Sequence, residues 1–177
     1  MSSIKYTFMI IITLVTVMAC RQNSGSDSRQ VPGTSQDDLV ETNRILVRKD
    51  AEKIRAYVNR RNWKMLETET GLWYMILEES NGILAKEGYM ATINFRISLL
   101  DGTVCYSSDI EDPKVFRIGQ GGVESGLEEG ILLMHEGDKA RFIMPPHLAH
   151  GLLGDNNKIP PRAIILYDVE LINLDEN

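Results

Sequence analysis

The side chains from which a catalytic or metal centre could be assembled are few: Cys20, Cys105, His135, His147 and His150. The two cysteines fall in unlike surroundings, one closing an apolar N-terminal run and the other inside a β-type run, so a disulfide framework is not expected. The three histidines have no cysteine nearby and repeat no ligand spacing, so a metal site is not expected. Cys105, isolated among β-formers, reads as a small buried hydrophobe in preference to a redox-sensitive thiol. His147 reads as a surface residue. His150, beside Gly151, can donate a hydrogen bond or change charge near neutrality, and reads equally well as a loop residue.

The chain that must position these residues has 177 of them, enough for one domain with a core plus tails. With 43% hydrophobic and 25% charged residues, the body of the protein is expected to fold in water. A formal net charge of -6 makes it a poor ligand for a phosphate backbone, and no nucleic acid partner is expected.

Residues 1–19 carry one charge, Lys5, ahead of the apolar run 6–18, which is too short for an ordinary bilayer-spanning helix and has the build of a signal peptide. The run ends in Val17-Met18-Ala19-Cys20 and gives way at once to Arg21-Gln22-Asn23-Ser24. That switch resembles the lipobox of bacterial lipoproteins, which implies cleavage before Cys20 and lipidation of it. Anchoring follows from the acyl chains, each buried CH₂ contributing about 0.8 kcal/mol. A signal anchor or a plain secretory signal with an incidental cysteine are the competing readings. Arg21 is not an obvious inner-membrane retention signal, so the expected location is the outer membrane, facing the periplasm.

Residues 20–36, rich in Ser, Gly, Gln and Asp, read as a flexible tether. Residues 37–70 form an N-terminal helical segment: Val47, Ala51, Ile54 and Val58 recur at helical spacing while Arg48, Lys49, Lys53 and Arg55 fall elsewhere. The stripe must dock on its own domain or pair with a second copy, giving a homodimer.

From Gly71 the period changes, and 71–177 reads as one domain. Residues 72–77, 89–100, 103–107, 115–118, 141–144 and 163–174 read as strands, with Asp101-Gly102 a hairpin turn. Ser125 and Glu128 form a capping-box pattern for a short helix lined by Leu127, Ile131 and Met134 and ended by Gly137. The expected class is α+β, an antiparallel sheet wrapped around one short helix and preceded by an amphipathic helix.

Several blocks then stand in order: Phe116-Arg117-Ile118-Gly119, Val123-Glu124-Ser125-Gly126-Leu127-Glu128-Glu129-Gly130, Met134-His135-Glu136-Gly137, Pro145-Pro146, Ile159-Pro160-Pro161 and Tyr167-Asp168-Val169-Glu170-Leu171. Together they resemble the FKBP-type peptidyl-prolyl isomerase domain from about Gly71 to Leu174. Gly154-Asp155-Asn156-Asn157-Lys158 before the Ile-Pro-Pro block looks most like the gliding-motility-associated isomerase lipoproteins. The resemblance implies an FKBP-like fold and a pocket for proline-containing protein segments, walled by Phe95, Cys105, Phe116, Val123, Leu127, His150, Ile159 and Tyr167. It also implies a backbone N–H, that of Glu124, holding the ligand carbonyl, and a loop over residues 147–158 that overhangs the pocket, shaped by the flanking proline pairs.

The implied chemistry needs no nucleophile, metal or cofactor. Turning an X-Pro bond means twisting an amide over a barrier of about 20 kcal/mol, which a dry pocket and one placed donor can lower. The family commonly has tyrosine at Phe95, phenylalanine at Cys105, aspartate at Tyr106, tryptophan at Leu127, tyrosine at His150 and phenylalanine at Tyr167. These departures imply an isomerase of reduced activity with weakened macrolide binding. The alternative is a catalytically weak chaperone or assembly factor that binds proline-containing segments, and a more distant one is a lipoprotein that only scaffolds a membrane complex.

Overall fold

The computed structural model describes residues 36–176. The expected signal segment, Cys20 and nearly all of the tether lie outside the described residues. Gln36, placed at the end of the tether by composition, is the first residue of helix α1 (Gln36–Arg60).

A seven-stranded antiparallel sheet follows: β1 (Leu66–Glu67), β2 (Trp73–Glu78), β3 (Met90–Leu99), β4 (Val104–Ser107), β5 (Lys114–Arg117), β6 (Lys139–Met144) and β7 (Ile165–Asp175). The order is β1-β2-β6-β7-β3-β4, with β5 also paired to β3. The expected strands fall within a few residues of these bounds. β1 is additional, two residues long and paired to Tyr74 and Trp73, too short to carry a periodic signal.

The Asp101-Gly102 hairpin forms as expected. Gly102 takes φ 96 and donates to the Leu99 carbonyl at 3.0 Å, while the Asp101 carboxylate accepts the Thr103 N–H at 2.9 Å.

Period-two alternation sends successive side chains of β6 and β7 to opposite faces. Phe142, Met144, Ile165 and Tyr167 join β3's Ala91, Ile93, Phe95 and Ile97 in the main core under the short helix α2 (Ser125–Ile131). Ile143 and Leu166 face the other way and pack with Trp73, Ile164 and Met65 against Ile54, Tyr57 and Val58 of α1. The amphipathic helix therefore docks on its own sheet through its C-terminal half. Leu39 and Val40 nearer its start are exposed. One charged contact reinforces the docking: Asp50, 4% exposed, accepts a 2.7 Å bond from Arg162.

Two details of α2 differ from the sequence reading. The N-cap is Glu124 and carries no side-chain capping bond. Ser125 is already helical and turns its hydroxyl to the Leu148 carbonyl at 3.5 Å, while Glu128 accepts the Gly121 N–H at 2.9 Å. Loop partners thus outcompete the local capping box. The helix also ends at Ile131, well before Gly137, because the chain leaves it to make the isolated Leu84–His135 bridge. Close seating of α2 on β6 explains the glycines of its motif, since a Cβ at Gly130 would come within 2.7 Å of the Phe142 ring.

Candidate functional site

Strand β3 places Phe95, β5 places Phe116, α2 places Leu127 and β7 places Tyr167, all facing the same core. Phe95 and Tyr167 lie tilted at 42° with ring centroids 6.0 Å apart. Ile159 and Cys105 belong to the same cluster, and Val123 and Tyr106 pack against its edge half-buried. Sequence reasoning named all eight residues, and the fold brings them together. Cys105 is 3% exposed, its thiol 3.5 Å from the Lys158 carbonyl, and burial together with the nearby Asp155 charge pushes the thiol pKa up. This is the small buried hydrophobe of the sequence reading.

Above this apolar floor the site is charged. An open cavity of about 440 Å³ is lined by Lys114, Gly122, Val123, Glu124 and His150. The Lys114 ammonium lies 5.0 Å from the Phe95 ring centroid and 5.5 Å from that of Tyr167. It donates to the Tyr167 hydroxyl at 2.9 Å and stands 3.4 Å from Glu124 Oε2. The other oxygen of Glu124 is 3.2 Å from His150 Nε2, close enough for an ion pair but not aligned as a hydrogen bond. The Glu124 side chain is 7% exposed, so this carboxylate points inward while its backbone leads α2. Burial, with the Glu124 and Glu111 charges behind it, raises the Tyr167 phenol far above its ordinary pKa, so it stays protonated.

The Glu124 N–H precedes the first intrahelical hydrogen bond and pairs with no acceptor among the described residues. Glu124 itself is one of the residues that line the cavity. His147, by contrast, is exposed and bonds the Thr70 carbonyl at 3.0 Å, away from the cavity-lining residues.

The loop that follows His150 is fixed by Asp155. Its carboxylate accepts the Tyr106 hydroxyl, the Asn157 N–H at 2.9 Å and the Ile159 N–H at 2.8 Å, while Lys158 lies 4.6 Å over the Tyr106 ring. Burial alone would raise the Asp155 pKa, but these hydrogen bonds and the His150 charge outweigh it and lower it to about 2. The family's strand aspartate is absent at Tyr106, yet Tyr106 recruits a carboxylate from the loop. A pKa depressed below the ordinary value near 3.9 means that the contribution to stability is present above that value and is lost as pH falls through about 2. The Asn157 and Ile159 amide resonances are accordingly expected to titrate together near that lower value, and to lose this titration in Asp155→Asn.

Sequence reasoning missed Lys114 and Asp155. The signal for Lys114 was present: it lies two residues before Phe116 on one strand, and alternate residues of a strand share a face. Asp155 carried no such signal, because its role depends on a loop turn with Asn156 at φ 59.

An α+β domain with a free helix-leading N–H beside aromatic and aliphatic walls is suited to catalysis by binding, the manner of prolyl isomerases. A family model described as FKBP-type peptidyl-prolyl cis-trans isomerase matches residues 82–172. FK506-binding protein 2 of Yarrowia lipolytica is 33% identical over 116 residues, covering 64% of this chain and 80% of the relative. A probable FKBP-type isomerase FkpA of Neisseria meningitidis is 31% identical over 142 residues, 78% of this chain and 52% of the relative. The crystal structure of FkpA from Escherichia coli superposes with TM-score 0.64 over 97% of this chain and 71% of that one, at 23% identity, a likeness of fold. The crystal structure of AtFKBP13 matches at TM-score 0.60 and 30% identity, over 62% of this chain and 98% of that one. The chain belongs to the FKBP-type peptidyl-prolyl cis-trans isomerase family.

Proposed function

We propose that the protein is a lipid-anchored prolyl isomerase that assists the folding of exported or envelope proteins, held at the outer membrane through Cys20 and acting on their proline-containing segments. The single observation that carries the catalytic part is the unpaired Glu124 N–H beside the Phe95–Tyr167 floor. It is a donor ready for the carbonyl that precedes proline, at a site where the amide can lose its resonance without needing water. The envelope location rests on the lipobox-like Val17-Met18-Ala19-Cys20. A role alongside gliding-motility-associated lipoproteins rests on the loop residues 154–158. Self-association through α1 is supported by the exposed Leu39 and Val40.

The test is refolding of a protein limited by one trans-to-cis prolyl step, otherwise a matter of tens of seconds. The full chain at catalytic amounts is expected to shorten that phase. The charges of Lys114 and Glu124 and the polar ring of His150, all lining the cavity, favour a second reading, a proline-segment-binding chaperone. Suppressed aggregation with an unchanged prolyl phase would establish that reading in place of the first.

A further inference from the structure

We infer that Lys114 is a catalytic residue, its ammonium donating a hydrogen bond to the imide nitrogen of the substrate as the X-Pro bond twists. This rests on the isomerase reading and adds to it a named participant in the barrier crossing.

In a planar imide the nitrogen lone pair is delocalised into the carbonyl and accepts no hydrogen bond. Once the bond is turned out of plane the pair returns to nitrogen, which becomes pyramidal and basic. A donor waiting there binds the twisted state and leaves the planar states untouched, the condition for raising kcat without tightening ground-state binding. No covalent bond forms or breaks, and the proton remains on lysine throughout.

The geometry supplies such a donor. Pairing of β5 with β3 sets Lys114 opposite Ile93 and Phe116 opposite Ala91, so both Lys114 and Phe116 turn toward the core side of the sheet. A lysine that served only to balance Glu124 could reach it from solvent. Here the ammonium is laid over the Phe95 and Tyr167 rings, on a residue that lines the same cavity as Glu124. Of its three N–H donors, one meets the Tyr167 hydroxyl and one lies toward Glu124 Oε2, which leaves one unspent. Glu124 and Lys114 line the same cavity. The atoms they would address, carbonyl oxygen and imide nitrogen, lie about 2.2 Å apart in one group. Tyr167 and Glu124 act as positioning residues for the ammonium, and His150 Nε2 lies 3.2 Å from the second oxygen of Glu124.

The experiment measures kcat and KM separately for cis-to-trans isomerisation of a proline tetrapeptide by the full chain, with thermal melts on every variant. Lys114→Met is expected to lower kcat about tenfold, the scale of one hydrogen bond to a charged group, with KM unchanged within about twofold. Lys114→Arg retains a donor and is expected to keep most of kcat. Should the methionine variant fail to fold, Tyr167→Phe, which removes the hydroxyl holding Nζ but keeps the ring, is expected to lower kcat about threefold, again without a matching change in KM. Unchanged or increased kcat in a folded Lys114→Met, or in Tyr167→Phe where that variant stands in for it, would overturn the inference, since an apolar pocket would then be the better catalyst. A change confined to KM would overturn it equally. In both cases the isomerase reading survives, whereas a folded but inactive wild type removes that reading and the role of Lys114 together.

Discussion

Phe116→Ala is expected to lower the free energy of unfolding by about 3–5 kcal/mol and to abolish acceleration of proline-limited refolding. The ring is buried in the main core, on a strand held to β3 by the Ala91–Phe116 pair. Truncation leaves a void against rigid neighbours, and the cost exceeds simple transfer because a close-packed core collapses only in part. The functional loss has a separate origin. Phe116 is two residues from Lys114 on the same face of β5, so relaxation into the void shifts both the pocket wall and the ammonium that lies over Phe95. Urea unfolding gives the first quantity, and a refolding assay at a temperature where the variant is still native gives the second. Native Phe116→Ala protein with full activity would show that the wall does not touch the substrate.

Arg162→Met is expected to destabilise by about 2–3 kcal/mol, while Asp50→Asn combined with Arg162→Met recovers part of that loss. The pair joins α1 to the segment that follows the Ile159-Pro160-Pro161 block, and the two partners are buried unequally, Asp50 almost fully and Arg162 partly. Removing only the cation strands a buried carboxylate, with the exposed Lys53 at 3.9 Å as its remaining partner. Neutralising both members takes away the stranded charge and leaves a smaller defect. The backbone of Arg162, at φ 57, also donates to the Gly151 carbonyl at 3.1 Å, so α1 and the loop next to His150 are tied through one residue. A urea-midpoint comparison of the two single variants and the double variant measures the coupling directly.

Much of the fold was legible because its strands alternate and its turns are punctuated. Residues 89–100 show the inward series Ala91, Ile93, Phe95 and Ile97, and Asp101-Gly102 closes the hairpin. The stripe on α1 was legible for the same reason at helical period, although the sequence left open whether it docks or dimerises; Ile54 and Val58 are spent on the sheet. The capping box failed because a side chain's local offer to the backbone is decided by what the loops bring near, here the Leu148 carbonyl and the Gly121 N–H. In the site, the apolar residues, His150 and the Glu124 backbone were named through the resemblance, whereas Lys114, the Glu124 carboxylate and Asp155 were not. Departures from the family's usual residues were read one at a time, as losses. In the structure they form a set: the extra hydroxyl of Tyr167 accepts from Lys114, Glu124 lies between Lys114 and His150, and Tyr106 binds Asp155. Such complementarity joins residues far apart in the chain, where no periodic signal reaches.

The position of β7 between β3 and β6 has a consequence for how this chain comes into being. Ile165 to Asp175 pair along nearly their whole length with Met90–Leu99, made much earlier, and Ile165 to Glu170 pair on the other side with the preceding strand Lys139–Met144. A chain emerging N-terminus first, from a ribosome or through a narrow channel, therefore presents two unjoined half-sheets until its last strand arrives. Until then the edges of β3 and β6 stand open, with α2 between incomplete walls. Native closure of the sheet waits for β7, and the preceding chain stays threadable until that strand has emerged.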